Sequence, residues 1–230
     1  MSDSELLQKS LETLEIHATP EQVEQFMAYR RLLLEWNAKM NLTAITEPRE
    51  ILLKHFADCA PMTRYVGNRV LDVGTGAGFP GIPIKILRSD LHLHLLDSLN
   101  KRIAFLQALT AELGLDRVAF LHARAEDAAR TNLRERFDTV VSRAVAALPV
   151  LAEYCLPFVE PGGTFIAMKG PDPEGEIAAA EKLITALGGG NALIKHVEIP
   201  FTDITHSLIM IEKLRSTPEK YPRGKKRIGS

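Results

Sequence analysis

The residues best placed to do chemistry are an acid and three glycines at alternate positions, Asp72, Gly74, Gly76 and Gly78. The run around the acid, Val70 to Val73, has the composition of a buried strand, and Ile82 to Leu87 that of a short helix. A glycine turn between strand and helix lets the backbone approach a ligand closely, because no Cβ intervenes. The fingerprint for a pyrophosphate-bearing dinucleotide needs its third glycine one residue later, where this chain has Phe79. That substitution counts against a nicotinamide-dependent oxidoreductase.

The pattern D-x-G-x-G-x-G resembles the cofactor turn of S-adenosylmethionine-dependent methyltransferases. That cofactor carries a sulfonium and an α-amino group, both cationic, so a carboxylate such as Asp72 beside the turn is favourable, directly or through water. Asp97 follows the second strand, where a carboxylate can accept from both ribose hydroxyls; capping the next helix is its alternative, a task that Ser98 is expected to take. Ala125 and Glu126 follow the third strand and are expected at the adenine, as methyltransferases of this type place backbone and acid there. Their alternative is an acidic helix start favoured by the macrodipole. Arg143 and Lys169 end the fourth and fifth strands and are expected to clamp cofactor or phosphate, not to act as acid or base. The expected cofactor set is therefore Asp72, Gly74, Gly76, Gly78, Phe79, Asp97, Ser98, Ala125, Glu126 and Arg143.

These residues need a sheet to bring them to one edge. Strand-like segments at 70–73, 91–96, 118–122, 137–142 and 163–169 alternate with helix-like segments at 82–87, 100–113, 146–159 and 174–187. Such alternation implies a doubly wound parallel sheet with right-handed crossovers. Segments 193–199 and 207–213 have no room for a helix between them and predict an antiparallel hairpin. The expected fold is thus α/β and Rossmann-like, a seven-stranded, mostly parallel sheet of the class I methyltransferase kind with a C-terminal hairpin. Before it lie three helices: one with Leu6, Leu7, Leu11 and Leu14 on one face, one started by Thr19-Pro20-Glu21-Gln22 as a capping box, and one over 49–61. The expected division is a helical extension over 1–66, a core over 67–214 and a basic tail over 215–230, integrated into one domain.

Composition agrees with a globular chain: 230 residues, 46% hydrophobic, 25% charged and a net charge of −1. No segment approaches the roughly 18 consecutive apolar residues of a membrane helix, and the acidic start lacks the basic end of a signal peptide. Cys59 and Cys155 form neither a metal spacing nor a disulfide framework, and the seven histidines include no ligand pattern. A cytoplasmic monomer without metal is expected. From Lys213 onward there are seven basic residues and one acid. This tail, with Arg223, Lys225, Lys226 and Arg227, is either a phosphate-binding arm or a solvated terminus.

Taken together, WNAKMNLTAIT from Trp36, KHFADC from Lys54, RVLDVGTGAGFPGIP from Arg69, LLDSLNKRIAFL from Leu95, SRAVAALPVL from Ser142 and the YPR tail from Tyr221 resemble the bacterial 16S ribosomal RNA methyltransferase G family, also called glucose-inhibited division protein B. The resemblance spans nearly the whole chain. It implies methylation of N7 of a guanine in 16S ribosomal RNA, with S-adenosylmethionine as cofactor and the free RNA or the small ribosomal subunit as partner. Asn41, Lys54, His55 and Asp58 then become candidates for the wall that receives the guanine, beside Lys169 and the tail. A small-molecule methyltransferase and a non-catalytic RNA-binding module remain the competing readings.

Overall fold

A computed structural model describes residues 1–224. Two capped helices open the chain. In α1 (Asp3–Thr13) the Ser2 hydroxyl accepts from Glu5 N–H while the Glu5 carboxylate accepts from Ser2 N–H. In α2 (Pro20–Met40) Thr19 and Gln22 form the same reciprocal pair, as the sequence predicts. The third helix departs from expectation. It begins as α3 (Pro48–Ile51), widens into a π-turn over Leu52–Ala57 and ends in a 3₁₀ turn over Ala60–Arg64. Pro61 has no N–H to return to the carbonyl of Ala57, so the α-helical ladder stops there.

The sheet has seven strands in the order β3-β2-β1-β4-β5-β7-β6. The parallel strands are β1 (Arg69–Val73), β2 (His92–Asp97), β3 (Val118–His122), β4 (Phe137–Arg143) and β5 (Val159–Lys169). The hairpin of β6 (Gly189–Glu198) and β7 (Thr205–Lys213) is antiparallel, and its second strand docks on β5, leaving β6 at the edge. Crossovers run through α4 (Gly81–Leu87), α5 (Asn100–Glu112), the single turn α6 (Ala125–Ala128), α7 (Leu148–Cys155) and α8 (Glu174–Ala186). β1 and β4 run parallel, but the order of strands reverses between them, β2 and β3 being added on one side and β5 on the other, which opens a crevice at the carboxyl ends of the strands.

Successive strand residues face opposite sides, so β1 sends Val70 into one core and Leu71 into the other. The Val70 side is shared by α4, α5 and the N-terminal helices, through Ile82, Phe105, Leu7, Phe26 and Tyr29. The extension therefore packs as a layer of the main core. The Leu71 side is closed by α7 and α8 through Leu151, Ala152 and Ile184. Both cysteines are buried there as free thiols, Cys59 on the first side and Cys155 on the second. No helix among the described residues is long and apolar enough to cross a membrane.

Candidate active site

Two adjoining cavities lie at the carboxyl edge, meeting at Ala144 just after β4. The first, about 370 Å³, sits over β1, β2 and β3 and is lined by Gly74, Asp97, Ser98, Ala125, Glu126 and Tyr154, among others. The glycine turn above it is tied down from three sides. Gly74 N–H donates to Leu96 O (2.8 Å), Gly76 N–H to an Asp97 carboxylate oxygen (3.0 Å), and the Tyr29 hydroxyl to Ala77 O (2.5 Å). Gly76 has φ +60°, and a Cβ there would meet only Gly74 O, at 3.9 Å, so its open side is free for a ligand.

Several expected cofactor residues turn out to shape this turn from behind. Asp72 is fully buried and does not reach the cavity. One of its oxygens accepts from Thr75 Oγ1 (2.7 Å) and Gly81 N–H (2.9 Å), while the other has no partner. Burial pushes its carboxyl up to about 7 against those two bonds. Gly78 (φ +98°) is buried under Tyr29, whose hydroxyl would lie 2.7 Å from an added Cβ. Phe79 is likewise buried, stacked between the rings of Tyr29 (5.4 Å) and His55 (4.3 Å). The turn thus folds the side chains of Asp72 and Phe79 and the Cα of Gly78 into the core, where they support it from behind.

Asp97 does face the first cavity, but with its carboxylate already engaged. It accepts from Gly76 N–H, Leu99 N–H (2.9 Å) and the Arg102 guanidinium (3.1 Å). The expected division of labour with Ser98 is overturned. α5 has Leu99 as its N-cap residue with no side-chain cap, and Asp97 covers the helix start. Glu126 is buried at the start of α6, beside Ala125. Glycine backbone, two buried carboxylates and the ring of Tyr154 match a ligand that carries cations, hydroxyls and a flat base. The donor set therefore fits S-adenosylmethionine.

The second cavity, about 460 Å³, lies over β4, β5 and β7 and is lined by Lys54, His55, Asp58, Arg143, Lys169 and His206, with Ile45, Ile204 and Met168. Arg143 lines this cavity and not the first. Its guanidinium donates to Lys54 O (3.1 Å), Asp58 Oδ2 (3.2 Å) and His55 Nδ1 (2.6 Å), and lies 4.9 Å from the Phe79 ring centre. A guanidinium can only donate, so His55 accepts at Nδ1 and donates from Nε2 to Thr43 Oγ1 (2.9 Å). Burial and the adjacent Arg143 charge push the imidazole down to about 3, so His55 is neutral. Lys169 donates to Ala146 O and pairs with Glu176 (2.8 Å); Lys54 pairs with Glu50 (2.5 Å). The π-turn aims Lys54, His55 and Asp58 at the sheet end together.

Other expected RNA contacts lie elsewhere. Asn41 is exposed, with left-handed backbone (φ 49°) that ends α2, and takes no part in the cavity wall. Arg223 is not a free phosphate contact: it is paired with Glu153, whose side chain is wholly buried (2.8 Å). Lys213 is buried and donates to Leu156 O, Val159 O and Thr217 Oγ1, and burial pushes its ammonium down to about 8. Lys225, Lys226 and Arg227 lie outside the described residues. Sequence reasoning did not single out His206, Arg102, Thr43 or Tyr29. Tyr29, Thr43 and His206 meet their partners only when the chain folds back on itself, while Arg102 reaches Asp97 from five residues on, in the first turn of α5.

A model of the rRNA small subunit methyltransferase G family matches residues 22–205. Curated ribosomal RNA small subunit methyltransferases G from Alkaliphilus metalliredigens and Clostridium tetani are 50% and 52% identical to the chain. They cover 97% and 86% of it, and it covers 95% and 85% of them. Among solved structures, a single-site mutant of the 16S rRNA (adenine(1408)-N(1))-methyltransferase of Catenulisporales acidiphilia, with cosubstrate SAM, aligns at a TM-score of 0.53 and 15% identity. The alignment covers 70% of this chain and 92% of that one.

Proposed function

This chain belongs to the rRNA small subunit methyltransferase G family, and we propose that it moves the methyl group of S-adenosylmethionine to N7 of a guanine in 16S ribosomal RNA. The first cavity is the cofactor site and the second receives the guanine. When bound, the cofactor supplies a methyl group on a sulfonium, open to in-line displacement.

One observation favours N7 as acceptor. The three long cations around the second cavity each have a carboxylate partner: Arg143 with Asp58, Lys169 with Glu176, and Lys54 with Glu50. Guanine N7 carries a lone pair and no proton, so its attack needs no base, and the product is a cationic purine. A wall of unbalanced cations would oppose that product; a wall of balanced pairs does not. The neutral state of His55 serves the same end.

The chain's task is then positioning. Asp97 holds the glycine turn through Gly76 N–H and would exchange the Arg102 contact for a ribose hydroxyl. Ala125 and Glu126 border the adenine end, and Tyr154 offers a ring face beside them. Arg143, fixed by four contacts, sets the wall between the two cavities, and Lys169 the outer rim. Holding N7 close to the methyl, in line with the sulfur, supplies most of the rate. RNA presents N7 in a deep, narrow groove, so the target guanine must be unpaired or splayed.

Incubating the protein with methyl-labelled S-adenosylmethionine and unmodified small subunits, with free 16S RNA in parallel, tests this by mass-spectrometric mapping. One N7-methylguanine at a single site is the expected result. Label on another atom or base, or none while cofactor binding persists, would refute it.

A further inference from the structure

His206 lines the second cavity and has no task in the transfer as described above. Its Nδ1 lies 2.7 Å from Asp58 Oδ1. The carboxylate also receives Arg143 on its other oxygen and is 1% exposed. In the neutral ring the hydrogen between the two belongs to Nδ1, so Nε2 carries a lone pair and no hydrogen. Strand β7 lies two places beyond β4 in the sheet, which puts His206 at the end of the second cavity away from the cofactor cavity. Guanine carries N7 on one edge and its N1–H and N2–H donors on the opposite edge. A guanine with N7 turned to the first cavity therefore turns N1–H and N2–H toward β7.

Resting on the guanine-N7 reading above, we propose that His206 touches the acceptor base, its Nε2 accepting a hydrogen bond from the N1/N2 edge of the bound guanine. This bond strengthens as the reaction proceeds. Alkylation at N7 makes the purine cationic, and its N–H groups become stronger donors toward a neutral acceptor. An interaction stronger in the transition state than in the ground state raises the rate of the chemical step and not only affinity. No proton leaves the base; N1–H stays on guanine throughout. A protonated His206 would lose the acceptor and add a cation next to a cationic product, so the neutral ring is the working form.

The charged groups around His206 come from every element beside it. Asp58 faces it from the end of the π-turn, with Lys54 and His55 behind. Arg143 stands at the end of β4 and Lys169 at the end of β5. On β6, Val197 is its register partner, flanked by His196, whose Nδ1 meets Ser207 Oγ (3.1 Å), and by exposed Glu198. Asp58 dominates and holds the imidazole above its ordinary 6.5, while burial and Arg143 oppose. The neutral fraction thus grows as pH rises through a value above 6.5.

Single-turnover methylation of small subunits at saturating cofactor and RNA, followed from pH about 5.5 to about 9, reads this out. The parent rate should climb through a limb above 6.5 and level off. His206→Gln puts an amide oxygen, which does not titrate, near the place of Nε2; it should keep much of the plateau rate with the limb gone. His206→Ala should lose about 10- to 100-fold in rate, as for a hydrogen bond to a charging group, with unchanged S-adenosylmethionine affinity. Should His206→Ala not fold, the His206→Gln profile decides alone. A parental rate in His206→Ala, an intact limb in His206→Gln, or a loss confined to RNA affinity would overturn the proposal. If the parent makes no N7-methylguanine at all, the reading of the reaction fails, and this inference with it.

Discussion

His55 is held neutral between a guanidinium and a hydroxyl, and that choice has a cost in acid. Its folded-state value, about 3, lies below the ordinary 6.5 of an unfolded chain. Between those limits the unfolded chain binds a proton that the folded one excludes, so stability falls as pH drops from about 6.5 toward 3. His55→Gln removes this dependence. Urea denaturation of parent and variant should show a gap between them that narrows, or reverses, from pH 7 to pH 5. A constant gap would mean that His55 takes up its proton in the folded state. Asp97 makes a second residue-scale prediction. Asp97→Ala frees both Gly76 N–H and Leu99 N–H, and should weaken S-adenosylmethionine binding by about 1.5–3 kcal/mol in calorimetry. Asp97→Asn, which retains an oxygen for one of them, should lose less. Of these roles, the place of Asp97 at a strand end was legible from strand–helix alternation. Its three simultaneous partners were not, since Gly76 and Arg102 come to it only when the turn folds back and α5 completes its first turn. His55 was legible only as a candidate, because the neutrality that defines it comes from Arg143, which the fold brings from far along the chain.

At the level of elements, regular periodicity carried the reading. Alternating apolar runs marked five parallel strands, and the capping box at Thr19 marked the start of α2 to the residue. The π-turn escaped because an apolar stripe looks alike on a helix of either width, and only the packed ends of the sheet show which width brings Lys54, His55 and Asp58 together. The anchorage of Arg223 was hidden for a related reason. A run of basic residues looks solvated until an acid is found buried beneath it, and Glu153 lies on α7, remote in sequence. Arg134 extends the anchorage, donating to the carbonyls of Thr217, Pro218 and Tyr221. Arg223 is thereby a clasp. Arg223→Ala would leave a buried carboxylate with, among the described residues, only the backbone N–H of residue 223, and should lower unfolding free energy by about 2–3 kcal/mol in chemical denaturation. Pairing it with Glu153→Gln should restore part of that. A loss under 0.5 kcal/mol, roughly the scatter of neutral surface changes, would show that the pair is not formed.

For the whole molecule, a net charge of −1 leaves RNA binding to local arrangement and not to overall attraction. The lysines at the second cavity are paired with acids, which leaves the basic run over 225–227 as the candidate source of phosphate contacts to test. Ending the chain after Gly224 removes Lys225, Lys226 and Arg227 while keeping the Arg223 clasp. Stability should be unchanged. The slope of log affinity for RNA against log salt should become shallower by about 0.7–0.9 for each phosphate no longer neutralised, and an unaltered slope would assign those residues no phosphates. The strand order has a consequence for how such a chain comes into being. β6 is synthesised before β7 yet touches the sheet only through it. A nascent chain that has emerged only as far as β6 therefore exposes a free flank on β5, with an unanchored ribbon beside it, and the final strand must slide between them. Late truncations within 205–213 should consequently yield sticky, self-associating products, because each leaves the flank of β5 and both flanks of β6 short of partners, where the finished sheet leaves one flank of β6 open at this end.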